Sequence, residues 1–296
     1  MDRRVRLHVM VSHRCSNRCV FCLEDEQERA DADFGDPFAI LEAFEYRDTV
    51  LFTCGEPTLS PILDDLVRRA DELGYHEVDL VTNGRLLADG RRATRLVQAG
   101  LTGVTVSIHS HRPELHNQLT RRRSFLQTLG GLRNMLALRG AAGSADLVVR
   151  TSTVACRPNL EDLPETILFL DRLGVDVINV NFVEPAGRAA AQFDDLVPRM
   201  SDVARSLDGV RDRLSCRELV VTGLPACLLR HGAESGTAMA GMREVIWMWQ
   251  GGTFVQLVPN RTQEYGPMCD TCPARPSCDG VWIRYVERFG WDEFGW

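Results

Sequence analysis

Three cysteines close to the start of the chain, Cys15, Cys19 and Cys22, are spaced C-x3-C-x2-C. They follow the apolar run Leu7-His8-Val9-Met10-Val11, which reads as a strand, so a strand end would deliver all three thiolates onto one short loop. Three thiolates placed so can hold three irons of a cubane iron–sulfur cluster, which normally takes four cysteines. The fourth iron is then open to a substrate or cofactor. A structural zinc site wants four closed ligands, and no fourth cysteine lies nearby in sequence. Cys/His-rich tracts also bind zinc, so on these residues alone both readings stand.

A second set lies toward the other end. Cys269, Cys272 and Cys278 give C-x2-C-x5-C, and Cys227, in Gly223-Leu224-Pro225-Ala226-Cys227, supplies a fourth thiolate, with Cys216 as the alternative. Four thiolates suit either zinc or a [4Fe–4S] cluster. Cys54, Cys156 and Cys216 are left over, and a buried free cysteine is usually no more than a small apolar side chain.

Ten cysteines without a secretion signal argue for metal ligation in a reducing cytoplasm rather than for a disulfide scaffold. Met1-Asp2-Arg3-Arg4-Val5-Arg6 leads straight into the first strand, with no apolar h-region and no cleavage site. Apolar runs are strand-length, so no membrane span is expected. A net charge of −7 disfavours nonspecific nucleic-acid binding. All 34 basic residues are arginine, which excludes a lysine Schiff base and with it an internal-aldimine pyridoxal enzyme.

The elements that must position these cysteines alternate in type. Thr49 to Thr53 reads as a buried strand, and Pro61 to Leu73 has helical apolar spacing ending at Gly74. Strand Glu77 to Thr82, helix Arg91 to Ala99 and strand Gly103 to Ile108 follow, then helix Ser124 to Leu138, strand Ala145 to Val154, helix Leu160 to Leu173 and strand Asp176 to Phe182. About six β/α units predict a parallel sheet with crossover helices, short of the eight that close a full barrel. The expected fold is therefore an α/β (β/α)6 partial barrel. Leu23 to Asp36 reads as an acidic exposed loop, and Ala189 to Leu207 as one helix. A boundary near 206 divides a barrel domain, 1–206, from a small cysteine-bearing domain, 207–296.

Further short motifs stand at strand ends, where parallel α/β proteins place their active sites. They are Cys54-Gly55-Glu56-Pro57, Thr82-Asn83-Gly84, Ser107-Ile108-His109-Ser110 and Asn181-Phe182-Val183-Glu184-Pro185, with Arg121, Arg122 and Arg123 before Ser124. Each has a plain reading as a turn or a solvated face. Together with the first cysteine loop and Phe21 beside Cys22, over roughly residues 5 to 190, their order resembles the radical S-adenosylmethionine (radical SAM) enzymes.

That resemblance implies a [4Fe–4S] cluster on Cys15, Cys19 and Cys22, whose open iron takes the methionine end of SAM before SAM is cleaved to a 5′-deoxyadenosyl radical. It implies SAM contacts from Phe21, Gly55, Glu56, Pro57, Asn83, Ser107, Val183 and one arginine of the run, with Arg121 the choice. Cys54 stands where the family usually has glycine, a departure that raises only the question of backbone crowding. The second cysteine set is similar to the auxiliary-cluster domains called SPASM and twitch, and implies a second [4Fe–4S] cluster on Cys227, Cys269, Cys272 and Cys278. The residue four after Cys278 is Trp282, not the cysteine of a full SPASM domain, so one auxiliary cluster is expected.

The expected activity is C–H hydrogen abstraction from a small natural-product-type substrate, such as a sugar or aminocyclitol, ending in oxidation (dehydrogenation) or epimerisation. An external one-electron reductant such as flavodoxin or ferredoxin would feed the cluster. Only fourteen residues precede Cys15, which tilts the expectation away from leader-binding peptide maturases, although a peptide brought by a separate partner is the runner-up. Cys156, after the fifth strand, is the candidate hydrogen donor to a substrate radical. The alternative of another class is a non-enzymatic zinc or electron-transfer protein.

Overall fold

Seven strands lie side by side in chain order, all parallel: β1 (Arg4–Met10), β2 (Thr49–Thr53), β3 (Glu77–Thr82), β4 (Gly103–Ser107), β5 (Val148–Ala155), β6 (Val177–Phe182) and β7 (Glu218–Thr222). The computed structural model describes residues 4–23, 34–140, 147–229, 244–256 and 262–295. Strand β8 (Glu244–Gln250) pairs parallel with the other edge of β1, and β9 (Thr253–Gln256) closes that side antiparallel to β8. The crossovers run through α1 (Pro37–Ala43), α2 (Leu63–Glu72), α3 (Gly90–Gln98), α4 (Pro113–Thr120), α5 (Phe125–Leu138) and α6 (Leu163–Leu173).

Alternation along the strands separates two faces. Leu7, Val9, Val50, Phe52, Val104, Val106, Ile178 and Val180 are buried beneath the helices. Helix α2 answers with Leu63, Leu66, Val67 and Ala70, an i, i+3, i+4, i+7 stripe. Burying each such aliphatic side chain stabilises the fold by about 1.5–3 kcal/mol. Asp36 and Asp89 cap α1 and α3 by accepting from the amides of Phe38 and Arg91. Gly174, at φ 82°, ends α6 in the left-handed region.

The other, inner face is half-buried and largely polar. At its floor Arg150 Nη1 lies 3.2 Å from Asp79 Oδ1, with the Arg6 guanidinium also beside that carboxylate. Gly103 leaves room for the pair, because a Cβ there would stand 1.9 Å from Asp79 Oδ1. Higher up come His8 and Met10 on β1, Thr105 and Ser107 on β4, Ser152 on β5, Asn179 and Asn181 on β6, and Thr222 on β7.

The α/β partial barrel is therefore present, with element bounds within a few residues of those expected. The predicted helix over 189–207 is instead three short helices, α7 (Gly187–Ala191), α8 (Phe193–Leu196) and α9 (Met200–Leu207). Gln192 leaves helical geometry at ψ 40°, and Val197 is held extended ahead of Pro198, which offers no amide hydrogen. Most of the acidic loop over 23–36 lies outside the described residues. The sheet continues past residue 206, since β7, β8 and β9 all join it. Beyond β9, β10 (Gln263–Glu264) pairs antiparallel with β11 (Val281–Trp282), and α10 (Ile283–Phe289) follows. The fully buried Tyr285 on α10 accepts from the Met200 amide at 2.8 Å and donates to Glu293, pinning the C-terminal segment to α9.

Candidate active site and second cysteine site

The loop after β1 bears Cys15, Cys19 and Cys22, all half-buried, and neighbouring segments fix it at several points. The amides of Arg18 and Val20 donate to the carbonyls of Thr120 and Leu119 at 3.0 and 2.9 Å, which lays the loop on the end of α4. Arg188, which the sequence reading did not single out, donates its amide to Cys22 O at 3.0 Å and its guanidinium to Cys19 O at 3.3 Å. Its neighbour Gly187 passes so near that a Cβ would stand 2.6 Å from Cys22 O. Burial, then the neighbouring Cys15 and Cys22, push the Cys19 thiol up to about 12. Cys15 and Cys22 act on Cys19 electrostatically, so three thiolates here would repel one another unless positive charge lay between them, and the irons of a cluster would supply that charge. The donor set fits the group.

The turn after β2 stacks on this loop. Glu56 donates its amide to Arg14 O at 2.8 Å, and at Gly55, φ +57°, a Cβ would lie 2.3 Å from Ser12 O. Only glycine fits there. Cys54 adopts φ 72°, a left-handed conformation that costs a non-glycine residue about 1–2 kcal/mol, so the glycine-like geometry is kept without glycine. The Glu56 carboxylate is 1% exposed and serves as a hub. Its Oε1 accepts from Thr58 N at 3.1 Å, Thr58 Oγ1 at 2.5 Å and Thr82 Oγ1 at 2.6 Å, while Oε2 accepts from Asn83 N at 2.7 Å. Pro57 is buried at the start of the 3-10 turn that follows. Asn83 in turn donates its side-chain amide to Ser16 Oγ at 3.0 Å and lies 4.0 Å from Cys15 Sγ. Cysteine loop, β2 turn and β3 end are one hydrogen-bonded unit.

The remaining candidates are spread around it. Phe21 is buried edge-on to the His109 ring at 4.8 Å, and Ser107 ends β4 on the inner face. Val183 is buried, and its amide donates to Ala155 O at 3.0 Å. Arg121 is exposed, ends α4 at φ 50° and reaches Gln192 Oε1 at 3.5 Å. Cys156 is 0% exposed within the core, and its thiol donates to Asn159 Oδ1 at 3.4 Å. Burial pushes that thiol up to about 12. This environment favours the packing reading over the hydrogen-donor one.

His109 and His116 form a buried pair that the motif reading passed over. His109 Nδ1 accepts from the Val154 amide, and His116 Nδ1 accepts from the His109 amide, both at 3.3 Å. Burial, with the neighbouring His116, lowers His109 to about 3, and burial lowers His116 to about 4, from an ordinary 6.5. Both are therefore neutral when folded, whereas the unfolded chain binds protons near pH 6.5. Their contribution to stability is full above that pH and is lost as pH falls toward about 4 and below. Thermal unfolding should show Tm dropping by several degrees from pH 7 to pH 4.5, and by less in His116→Gln. An unchanged pH dependence in that variant would contradict the assignment.

At the far end of the chain, Cys227, Cys269, Cys272 and Cys278 line one apolar cavity with Tyr265, Met268, Val281, Trp291 and Phe294. Burial first, then the other three cysteines, raise the Cys227 thiol. Among the described residues no three cysteine, histidine or carboxylate side chains close on a single point as ligands of one ion. The four thiols line one cavity, a donor set that suits zinc or a [4Fe–4S] cluster. Cys216 is elsewhere, its amide on Asp171 Oδ1 at 2.6 Å.

With this geometry in hand, comparison with known proteins is direct. Residues 9–170 match the profile of the Radical SAM superfamily. A probable GTP 3′,8-cyclase of Saccharolobus solfataricus is 27% identical over 219 residues, 72% of this chain and 67% of the relative. One from Saccharolobus islandicus is 30% identical over 198 residues, 64% of this chain and 61% of the relative. The chain thus spans about two thirds of the length of these relatives or somewhat less. Among solved structures, Streptococcus suis SuiB bound to its precursor peptide SuiA superposes with a TM-score of 0.66 at 15% identity, over 97% of this chain and 74% of that one. Native anSMEcpe with bound AdoMet gives 0.62 at 14% identity, over 95% and 89%. At such identities the structures speak for the fold. Among the described residues no helix is long and apolar enough to cross a membrane.

Proposed function

Because the chain belongs to the radical SAM superfamily, whose profile covers more than half of it, we propose that it abstracts hydrogen from a C–H bond of a small, hydroxyl-rich substrate held in the barrel lumen. When bound, the cluster and SAM supply a 5′-deoxyadenosyl radical, which is strong enough to take hydrogen from unactivated carbon. The chain's own part is to hold and orient. Cys15, Cys19 and Cys22 would anchor the cluster, and the Glu56 hub keeps the β2 turn and Asn83 fixed against that loop. Arg121, Ser107 and Val183 would contribute contacts to SAM.

The observation that carries the substrate class is the inner wall of β4 to β7. Thr105, Ser107, Ser152, Asn179, Asn181 and Thr222 are half-buried there, all neutral donors and acceptors. Three of them form a chain: Thr222 Oγ1 donates to Asn181 Oδ1 at 2.6 Å, and Asn181 Nδ2 donates to Ser152 Oγ at 2.9 Å. His8, opposite, is held neutral by burial and then by Arg6, which lower it to about 4, and among the described residues its Nε2 has no hydrogen-bond partner. Neutral groups of this kind pair with hydroxyls, whereas a phosphate or carboxylate calls for unpaired arginine. Arg150 at the floor is committed to Asp79.

A second cluster on Cys227, Cys269, Cys272 and Cys278 would be fully ligated and so suits electron relay. With Cys156 sealed in the core, that supports oxidation over an epimerisation quenched by this thiol. A peptide presented by a partner is the second reading, because SuiB with SuiA shares the fold over nearly the whole chain.

Anaerobic assay of the reconstituted enzyme with SAM and dithionite tests the reading. A sugar or aminocyclitol panel should raise 5′-deoxyadenosine formation at least about tenfold, and Asn181→Leu should raise KM about tenfold with little change in SAM cleavage without substrate. Stimulation by GTP alone, or by peptides alone, would replace the sugar-type reading.

A further inference from the structure

Across the barrel, arginines such as Arg69, Arg95, Arg112 and Arg150 are matched with carboxylates. Arg85, directly after the Asn83-Gly84 turn that ends β3, is not. It is half-buried, and among the described residues it takes part in no ion pair; the acceptors of its side chain are all neutral. Its Nη1 donates to Ser16 O at 2.6 Å and to Asn17 Oδ1 at 3.3 Å, and its Nε donates to Gln127 Oε1 at 2.7 Å. Ser16 and Asn17 follow Cys15 directly, and the Asn17 amide reaches Cys15 Sγ at 3.4 Å. An uncompensated positive charge is thus held against the segment that carries the first cysteine.

The charge is fixed in place from several sides. The Arg85 amide donates to Asn83 Oδ1 at 3.1 Å, and Asn83 O accepts from Thr128 Oγ1 at 2.9 Å, which ties the turn to α5. Helix α5 packs so closely that a Cβ at Gly131 would stand 2.0 Å from Gly84 O, and Gln127 lies one turn earlier on that helix. A pin for the cysteine loop needs donors but no charge. A half-buried guanidinium without a counter-ion gives up hydration that only a nearby negative charge can offset. Three thiolates and the sulfides of a cluster would be such a charge. Reduction makes a cluster more negative, so a fixed cation beside it favours the reduced form; net charge and hydrogen bonding around a cluster set its potential. Resting on the radical SAM reading above, we propose that Arg85 is an electrostatic positioning residue for the cluster on Cys15, Cys19 and Cys22, its uncompensated charge making that cluster easier to reduce. The cluster gains one electron, the reductant loses it, and the arginine keeps its protons throughout.

Potentiometric titration of the anaerobically reconstituted holoenzyme with dithionite, followed by electron paramagnetic resonance, tests this. The signal that changes on adding SAM identifies the first cluster. Arg85→Gln keeps a donor and removes the charge. It should lower the midpoint by at least a tenfold change in the reduction equilibrium, about 59 mV for one electron, with iron content as in the parent. Arg85→Lys keeps the charge and should recover at least about half of that shift. Gln127→Glu leaves Arg85 and its bonds to the loop intact but sets a carboxylate against its Nε. It should lower the midpoint in the same direction, and more at low ionic strength than at high. A parental midpoint in Arg85→Gln, or equal lowering in Arg85→Gln and Arg85→Lys, would leave Arg85 a mere pin and overturn the proposal. If Arg85→Gln fails to hold iron, Gln127→Glu decides: a lowered midpoint supports the assignment and an unshifted one overturns it. If the parent shows neither a SAM-sensitive signal nor SAM cleavage, the radical SAM reading itself fails, and the role of Arg85 falls with it.

Discussion

Replacing Cys15, Cys19 and Cys22 together with alanine should abolish reductive SAM cleavage and remove about half of the bound iron. The three side chains are the whole protein ligand set of the proposed active-site cluster, and no described cysteine of the second set stands in to replace them. The barrel should survive, because the loop is held by backbone: Arg18 and Val20 to α4, Glu56 N to Arg14 O, and Arg188 N to Cys22 O. Far-UV circular dichroism should therefore match the parent. Iron and sulfide analysis after anaerobic reconstitution, with 5′-deoxyadenosine measured by chromatography, decides the matter. Persistent cleavage in the triple variant would overturn the assignment of this loop. The iron left behind, held by Cys227, Cys269, Cys272 and Cys278, reads out the second site; stoichiometric zinc there instead would return it to a structural knuckle.

Glu56→Ala is expected to be the most damaging single change at the site. Its carboxylate accepts hydrogen bonds from two backbone amides and two threonine hydroxyls while almost wholly buried. The hydroxyls can rotate to other partners, but the amides of Thr58 and Asn83 cannot. Leaving two buried amides unsatisfied costs about 1–3 kcal/mol each, so a loss of about 3 kcal/mol in stability is expected. Glu56→Gln separates packing from charge. Its carbonyl oxygen can still take the three bonds at Oε1, while its NH2 group faces the Asn83 amide, donor against donor. It should recover most of the lost stability while still raising KM for SAM. A Glu56→Ala protein with parental denaturant midpoint and parental SAM cleavage would show that the hub is dispensable.

Strand and helix order were legible because each element states its own period. The i, i+3, i+4 stripe of α2 and the alternating valines of β4 need no distant information. Helix breaks were less legible. The 189–207 segment has helical composition, yet Pro198 and the Gln192 turn divide it, and α4 is short enough that its apolar residues show little periodicity. Strands β8 and β9 were not placed because their position depends on partners: β8 pairs with β1, far away in sequence, and β9 then pairs with β8.

The sequence by itself determined which side chains could do chemistry: three cysteines at ligand spacing on one loop, a second set of three with Cys227 or Cys216 as fourth, and the turn motifs at strand ends. Those are local facts of residue type and separation. Which of them meet was decided by tertiary structure, because a contact depends on how distant segments pack. Packing set Cys227 and not Cys216 in the cavity with Cys269, Cys272 and Cys278. It turned Glu56 into a four-donor hub, brought Arg188 onto the cysteine loop and closed the core around Cys156. It also laid the cysteine loop against the arginine run, a juxtaposition that two backbone hydrogen bonds create and that no spacing along the chain could announce.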